Sequence, residues 1–372
     1  MDSPVIVFPH LGIEIDSLPS GFSIGNFRIA FYGILIAAGM ILAVVIAMQR
    51  AKKTNQYPDH YVDIGIISII AAIIGARIYY VIFSLDEYTS FWQIFNIRQG
   101  GLAIYGGLIG GILAAFFVCR FKKISFLRAL DTAAPGIALA QAIGRWGNFF
   151  NKEAYGGYTD SLFAMRIKYS EASGVVSQEL LDNVVNVNGT NYIQVHPTFL
   201  YESAWCLLLF ILLMLFSKLS QYKGEILLWY IGGYALERAF VEGLRTDQLR
   251  IGDTIPVSQL LSVALLAGSL AILIINRIRI WTHSWDPGYS YVLEDGEPGT
   301  KAHYDERKSK KEKAKKAKWE TYTVNSGEEV AEEAEEVAEE AEEVVEETAP
   351  EAKDLEEAEE AEEIGEAIDE AR

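Results

Sequence analysis

Cysteine and histidine are scarce in this chain, with two and five among 372 residues. Cys119 and Cys206 both sit in apolar runs, which excludes a disulfide framework and a Cys/His metal centre. They read as small buried hydrophobes. Four histidines, His10, His60, His283 and His303, fall in termini or loops. The fifth, His196, precedes Pro197 at a helix start and reads either as a structural hydrogen-bonding group or as a ligand contact. There is no GxxxxGK[ST] phosphate loop, no HExxH and no GxSxG, so nucleotide-loop, zinc-peptidase and serine-hydrolase chemistry lack their residues. No metal, no cofactor and no nucleic-acid partner is expected. A signal-peptide pattern is also missing: the first apolar run starts near Ile29 without a basic flank and continues for a full membrane span.

What the chain has instead is apolar length. Hydrophobic residues make up 51% of it, and the mean hydropathy is +0.16 despite many charges. The net charge of −18 is concentrated at one end. From Glu328 onward 21 Glu and 2 Asp face one Lys and one Arg, a charge of −21, which leaves +3 on residues 1–327. A mildly basic apolar body therefore carries an acidic tail. In that tail Val330, Ala334, Val337, Ala341 and Val344 recur at heptad spacing. The density of Glu favours a solvated, weakly helical or disordered segment, with docking to a basic partner as the minority reading. The preceding basic run, Arg307 to Lys318, suits either anionic headgroups or the tail itself.

A membrane span needs about 20 mostly apolar residues. Seven candidates appear: Ile29–Met48, Val62–Phe83, Leu102–Val118, Ala129–Phe150, Phe199–Ser217, Ile226–Val241 and Gln259–Ile278. The fourth and sixth are the least apolar, carrying Asp131, Arg145, Glu237 and Arg238. Lys and Arg collect in alternate loops, at Arg50 to Lys53, Arg120 to Arg128, Lys218 to Lys223, and after Arg277. That bias predicts an outside N-terminus and a cytoplasmic C-terminus. The expected fold is an all-α polytopic membrane protein with seven transmembrane helices. The expected domains are an extracytoplasmic segment over 1–28, a seven-helix membrane domain over 29–281, a basic cytoplasmic segment over 282–327 and the acidic tail over 328–372. Within the membrane domain, 151–197 reads as a small extracytoplasmic subdomain with some strand content. "FSIGNFRIAF" reads as interfacial.

On this topology the polar residues of six spans converge on the outer layer. They include Tyr32, Arg77, Tyr105, Arg145, Asn148, Glu153, His196, Tyr201, Glu202, Arg238, Glu242 and Arg245. Asp131, at the inner end of the fourth span, is the exception. Any one of these has a bland explanation, since Arg snorkels and Tyr lines the interface. A layer of arginines does not, because each costs about 2.5–3.5 kcal/mol at membrane depth. Arg238, Glu242 and Arg245 are spaced i, i+4, i+7 and share a helix face, where Glu242 can hold a guanidinium by bidentate pairing. Arg77, Arg145, Arg238 and Arg245 outnumber Glu153, Glu202 and Glu242, so an anionic ligand is expected, and arginine suits phosphate. The glycines of "GGLAIYGGLIGG" suit close helix packing. Gly147, Gly156 and Gly157 suit a tight turn or a close ligand approach. Taken alone, these residues also admit a transporter or binding protein for an anionic lipid or solute. A transporter would place its charges near the midplane, often in repeated halves. Here they sit at one end, and no repeat is visible.

The motifs themselves go further. "GRWGNFFNKEAYG" (Gly144–Gly156) resembles the signature of prolipoprotein diacylglyceryl transferases. "FYGILIAAG", "IGARIYYV", "GGLAIYGGLIGG", "HPTFLYES" and "ERAFVEGLRTD" resemble that family's other motifs, in order, over about residues 20–280. The resemblance implies transfer of a diacylglyceryl group from phosphatidylglycerol to the lipobox cysteine of a preprolipoprotein, in the bacterial cell membrane, by a monomer. It implies that Arg145 and Arg238 act on the phosphate, that Glu242 orients Arg238 and Arg245 assists, and that Tyr32, Asn148, Glu153 and Gly156 shape the site. Some members have a His, favoured as the thiol's base, where this chain has Tyr105. A phenol with an ordinary pKa of about 10 is a poor base, so the base stays unassigned. The acidic tail lies outside the resemblance.

Overall fold

A computed structural model describes residues 3–282 apart from 26, 55, 89, 97–99, 221, 247, 249 and 252–254, together with 309 and 313. The chain divides into two units, Met1–Glu294 and Asp295–Arg372, and every element below belongs to the first. The expectations for the acidic tail, and for nearly all of the basic run before it, lie outside the described residues.

Seven helices of eighteen residues or more are found among the described residues. They are α1 (Phe31–Lys53), α2 (Asp59–Phe83), α3 (Ile104–Phe121), α4 (Phe126–Asn151), α6 (Thr198–Phe216), α7 (Glu225–Glu242) and α8 (Val257–Thr282). A short α5 (Gln178–Asp182) lies between α4 and α6, where the Ser177 hydroxyl accepts from the Leu180 amide. Five of the long helices, α1, α2, α3, α6 and α8, are long and apolar enough to cross a membrane. α4 and α7, which correspond to the least apolar candidates, are outside that set. Ile66, Ile70, Ile73 and Ile74 of α2 and Leu108, Ile112 and Phe116 of α3 are exposed. Apolar faces this continuous suit a lipid surround rather than water.

α4 is the central helix, packed against α1, α3, α6 and α7. Small residues permit this: Ala134, Pro135 and Ala138 are fully buried. The α2–α3 pair is closer still. A Cβ at Gly106 would stand 2.3 Å from the carbonyl oxygen of Gly75, so the backbones meet only because both positions are glycine. Cys119 and Cys206 are buried and free, as apolar packing groups.

The chain is mostly helical but not all-α. β1 (Ile6–Phe8), β2 (Ile13–Ile15), β5 (Met165–Lys168), β6 (Val185–Val187) and β7 (Thr190–Val195) form one antiparallel sheet in the order β2-β1-β5-β7-β6. Ile6 pairs with Ile167, so the N-terminal segment and the insertion between α4 and α6 contribute strands to one sheet. Its buried face follows the strand period of two: Ile6 and Phe8, Met165 and Ile167, Ile193 and Val195. The stretch read as interfacial is a hairpin, β3 (Gly21–Ile24) against β4 (Phe27–Ala30). A last two-residue pair, β8 (Arg250–Ile251) and β9 (Ile255–Pro256), precedes α8.

At the opposite end of α4, Asp131 accepts from the Gly224 amide at 2.5 Å and the Leu227 amide at 2.8 Å. It thereby satisfies the free amides at the start of α7. Arg50 of α1 donates to the carbonyls of Thr132 and Asp131. Asp131, the main exception to the expected outer layer, thus helps tie three helices together.

Candidate active site

The last two turns of α4, the first turns of α6 and the end of α7 with the residues just beyond it bring three arginines around one buried carboxylate. Glu202 of α6 is 1% exposed. Its Oε2 pairs closely with Nε of Arg145, and its Oε1 lies 3.6 Å from a guanidinium nitrogen of both Arg238 and Arg245. Arg238 also pairs with Glu242, one turn along α7, at 2.5 Å. Glu242 is held in turn by the Ser258 hydroxyl at the start of α8. Charges this buried persist only when paired, and the pairing fixes each guanidinium in place.

Glu237 is the residue the spacing did not single out for the site. It is 4% exposed on α7, within electrostatic range of Glu202, Arg145, Arg238 and Arg245. Neither of its carboxylate oxygens has a hydrogen-bond partner. The only signal in the sequence was its position, next to Arg238 in an otherwise apolar helix. Glu202 carried a stronger one, an acid in the first turns of a very apolar helix.

Around this centre the chain turns sharply. Asn148 and Asn151 both donate to Oε1 of Glu153 at 3.1 Å, which holds the turn after α4. Lys152 there takes the left-handed conformation, φ 54°. The amide of Gly156 donates to the carbonyl of His196 at 3.0 Å, and Gly156 bridges to Arg245. A Cβ at Gly156 would lie 2.8 Å from both the His196 Cβ and the Leu244 carbonyl oxygen, so the strand-like crossing requires glycine. Nδ1 of His196 lies 3.4 Å from the Tyr201 hydroxyl. Burial makes His196 less basic than usual, with Glu179 opposing. The Tyr32 ring of α1 rests where a side chain at position 147 would go. Trp146 donates to the Ser203 hydroxyl at 3.1 Å and packs edge-on against Phe199, which ties α4 to α6 beside Arg145.

Two of the expected residues stand apart from the cluster. Arg77 donates to the carbonyls of Ile94 (2.6 Å), Gln93 (2.9 Å), Gly100 and Gly101 (both 3.0 Å), and lies over the Tyr88 ring. Its guanidinium is occupied in organising the chain between α2 and α3. Tyr105 is 55% exposed at the start of α3, with Tyr79 as its ring neighbour. The charge count changes accordingly. Glu153, bonded to Asn148 and Asn151, forms no ion pair with these arginines among the described residues. With Arg77 and Glu153 both outside the cluster and Glu237 included, three guanidiniums face three carboxylates, and the expected cationic excess is gone. Among the described residues no group of three or more His, Cys, Asp or Glu is arranged to hold a metal ion.

This arrangement suits phosphate chemistry. Fixed guanidiniums in a water-poor layer stabilise charge that develops on a departing phosphate, and they need no reorganisation as it forms.

A family model described as prolipoprotein diacylglyceryl transferase matches residues 19–275. A phosphatidylglycerol–prolipoprotein diacylglyceryl transferase 1 of Clostridium perfringens is 46% identical over 260 residues, 69% of this chain and 94% of the relative. Enzymes with the same name, without the numeral, from Clostridium botulinum (strain Langeland) and Clostridium kluyveri are each 44% identical, covering 66% of this chain and 91% of the relative. The matched region holds the whole arginine–glutamate cluster and stops before the acidic tail.

Proposed function

The chain belongs to the prolipoprotein diacylglyceryl transferase family, and from that premise we propose how its residues carry out the transfer. The substrates are phosphatidylglycerol and the lipobox cysteine of a preprolipoprotein. The thiolate attacks the sp³ carbon of the diacylglyceryl group that bears the phosphate ester. The carbon–sulfur bond forms as the carbon–oxygen bond breaks, and glycerol phosphate leaves with the electron pair. No acyl oxyanion hole is needed. The chain must instead hold the phosphate and bring the sulfur into line.

Arg145 and Arg238 bind the phosphodiester and stabilise the charge gained by the leaving group. Glu202 and Glu242 orient them, and Arg245 assists from beyond α7. Asn148, through Glu153, shapes the turn beside the phosphate, while Tyr32, Gly156 and His196 bound the space for the headgroup and the peptide. The same arginine field favours the thiolate, whose formation responds to nearby cations. Supporting this reading is one observation above all: Glu202 gathers guanidiniums from the ends of α4 and α7 at a single buried point.

All seven long helices cross the cytoplasmic membrane in this reading, with the N-terminus outside and the C-terminus inside. α4 and α7 cross because their charged groups face the protein interior. The Lys and Arg bias of the loops supports the orientation. It puts the five-stranded sheet outside and opens the site to the outer leaflet, where a preprolipoprotein emerges.

The direct test uses the full chain in detergent with phosphatidylglycerol and a lipobox peptide. The expected result is a peptide heavier by one diacylglyceryl group, with glycerol phosphate released in equal amount. A folded sample that yields neither refutes the proposal.

A further inference from the structure

We propose that binding of the phosphate anion at the arginine cluster is coupled to uptake of one proton by Glu237. This deepens the reading of the cluster as a phosphate site and rests on it. Arg145, Arg238 and Arg245 carry three positive charges, and Glu202, Glu237 and Glu242 carry three negative ones when all are ionised. A phosphodiester brings one more negative charge into a buried layer. The cluster then holds an uncompensated anion, which is costly away from water. One carboxylate must gain a proton to restore neutrality.

The pairing selects which. Glu202 contacts all three arginines, and Glu242 holds Arg238 and accepts from Ser258. Protonating either would loosen the guanidiniums that bind the phosphate. Glu237 is equally buried, but among the described residues its oxygens have neither a hydrogen bond nor an ion pair within 4 Å, whereas Glu202 and Glu242 each pair with arginine. The charged and titratable groups that act on it electrostatically are Arg145 of α4, Glu202 and Cys206 of α6, Tyr234 and Arg238 of α7, and Arg245 beyond it. α8 also packs against α7, and its only ionisable side chains, Arg277 and Arg279, lie at its far end, where Arg277 pairs with Glu225. Three guanidiniums favour the charged form of Glu237, while burial and Glu202 oppose it. An arriving anion occupies the guanidiniums and tips that balance toward the neutral acid. Phosphate affinity therefore falls as pH rises, by up to about tenfold per unit where one proton is taken up.

The test titrates short-chain phosphatidylglycerol into the full chain in detergent, by calorimetry at one mildly alkaline pH, where Glu237 is ionised before binding, in two buffers of different ionisation enthalpy. The expected result is uptake approaching one proton per lipid bound. In Glu237→Gln, binding persists with uptake near zero and affinity independent of pH. Infrared difference spectra of the unmutated chain give a second measure, a protonated carboxyl band that appears on lipid binding. Binding without proton uptake in the unmutated chain overturns the inference, whether or not the variant folds, and so does undiminished uptake in Glu237→Gln. Absence of lipid binding by the folded unmutated chain instead overturns the phosphate-site reading, and the inference with it.

Discussion

Arg145 of α4 and Glu202 of α6 form a buried ion pair, and both Arg238 and Arg245 lie within 3.6 Å of the same carboxylate. The two residues are 57 positions apart, at the ends of different helices, yet each accounts for the other's burial. An isolated arginine at this depth is costly, and an isolated glutamate equally so.

Loss of Arg145 is therefore expected to abolish turnover. Arg145→Ala should retain the helical content of the parent chain by circular dichroism while producing no detectable thioether. Near-normal product release from this variant removes Arg145 from the mechanism.

Glu202→Ala is expected to be more damaging to the fold than to any single contact. It leaves three guanidiniums without their shared partner, and breaking a buried pair costs about 3–5 kcal/mol. A clear fall in melting temperature in detergent should accompany loss of activity. A variant as stable as the parent shows that water replaces the carboxylate.

Arg77→Ala separates structure from chemistry. Several charge-assisted bonds to loop carbonyls vanish, which should lower stability by on the order of 2 kcal/mol. Affinity for phosphatidylglycerol should stay unchanged, since the guanidinium is directed at backbone. Weakened lipid binding in a stably folded Arg77→Ala returns that residue to the phosphate site.

Gly156→Ala tests the crossing between the turn after α4 and the chain beyond α7. The added methyl meets His196 and the Leu244 carbonyl, an overpacking cost of about 1–3 kcal/mol. Activity should drop sharply because Arg245 is displaced with its strand partner. Unaltered kinetics would mean that the loop yields without moving Arg245.

Deleting residues 328–372 should leave the transfer reaction unchanged, because the acidic tail lies outside the matched region. Assays of the truncated and full chains side by side decide this, and loss of activity on truncation assigns the tail a part in function.

Much of this protein was legible along the chain because its main determinants are local. Apolar runs marked the positions of all seven long helices, five of them apolar enough to cross a membrane, with ends within about five residues of those observed. Period-two alternation marked strand content near Met165 and Ile193, and three of the four arginines in apolar runs marked the cluster around Glu202. What the sequence left open depends on pairing between distant segments. Nothing local says that Ile6 joins Ile167 in one sheet. Nor does it say that Arg77 turns to carbonyls of the chain beyond α2 while Arg145, equally apolar in its surroundings, turns to Glu202. Charge along a chain can be counted from composition. Charge at a site is decided by which side chains the fold buries together, and that replaced an expected cationic excess with three arginines facing three glutamates.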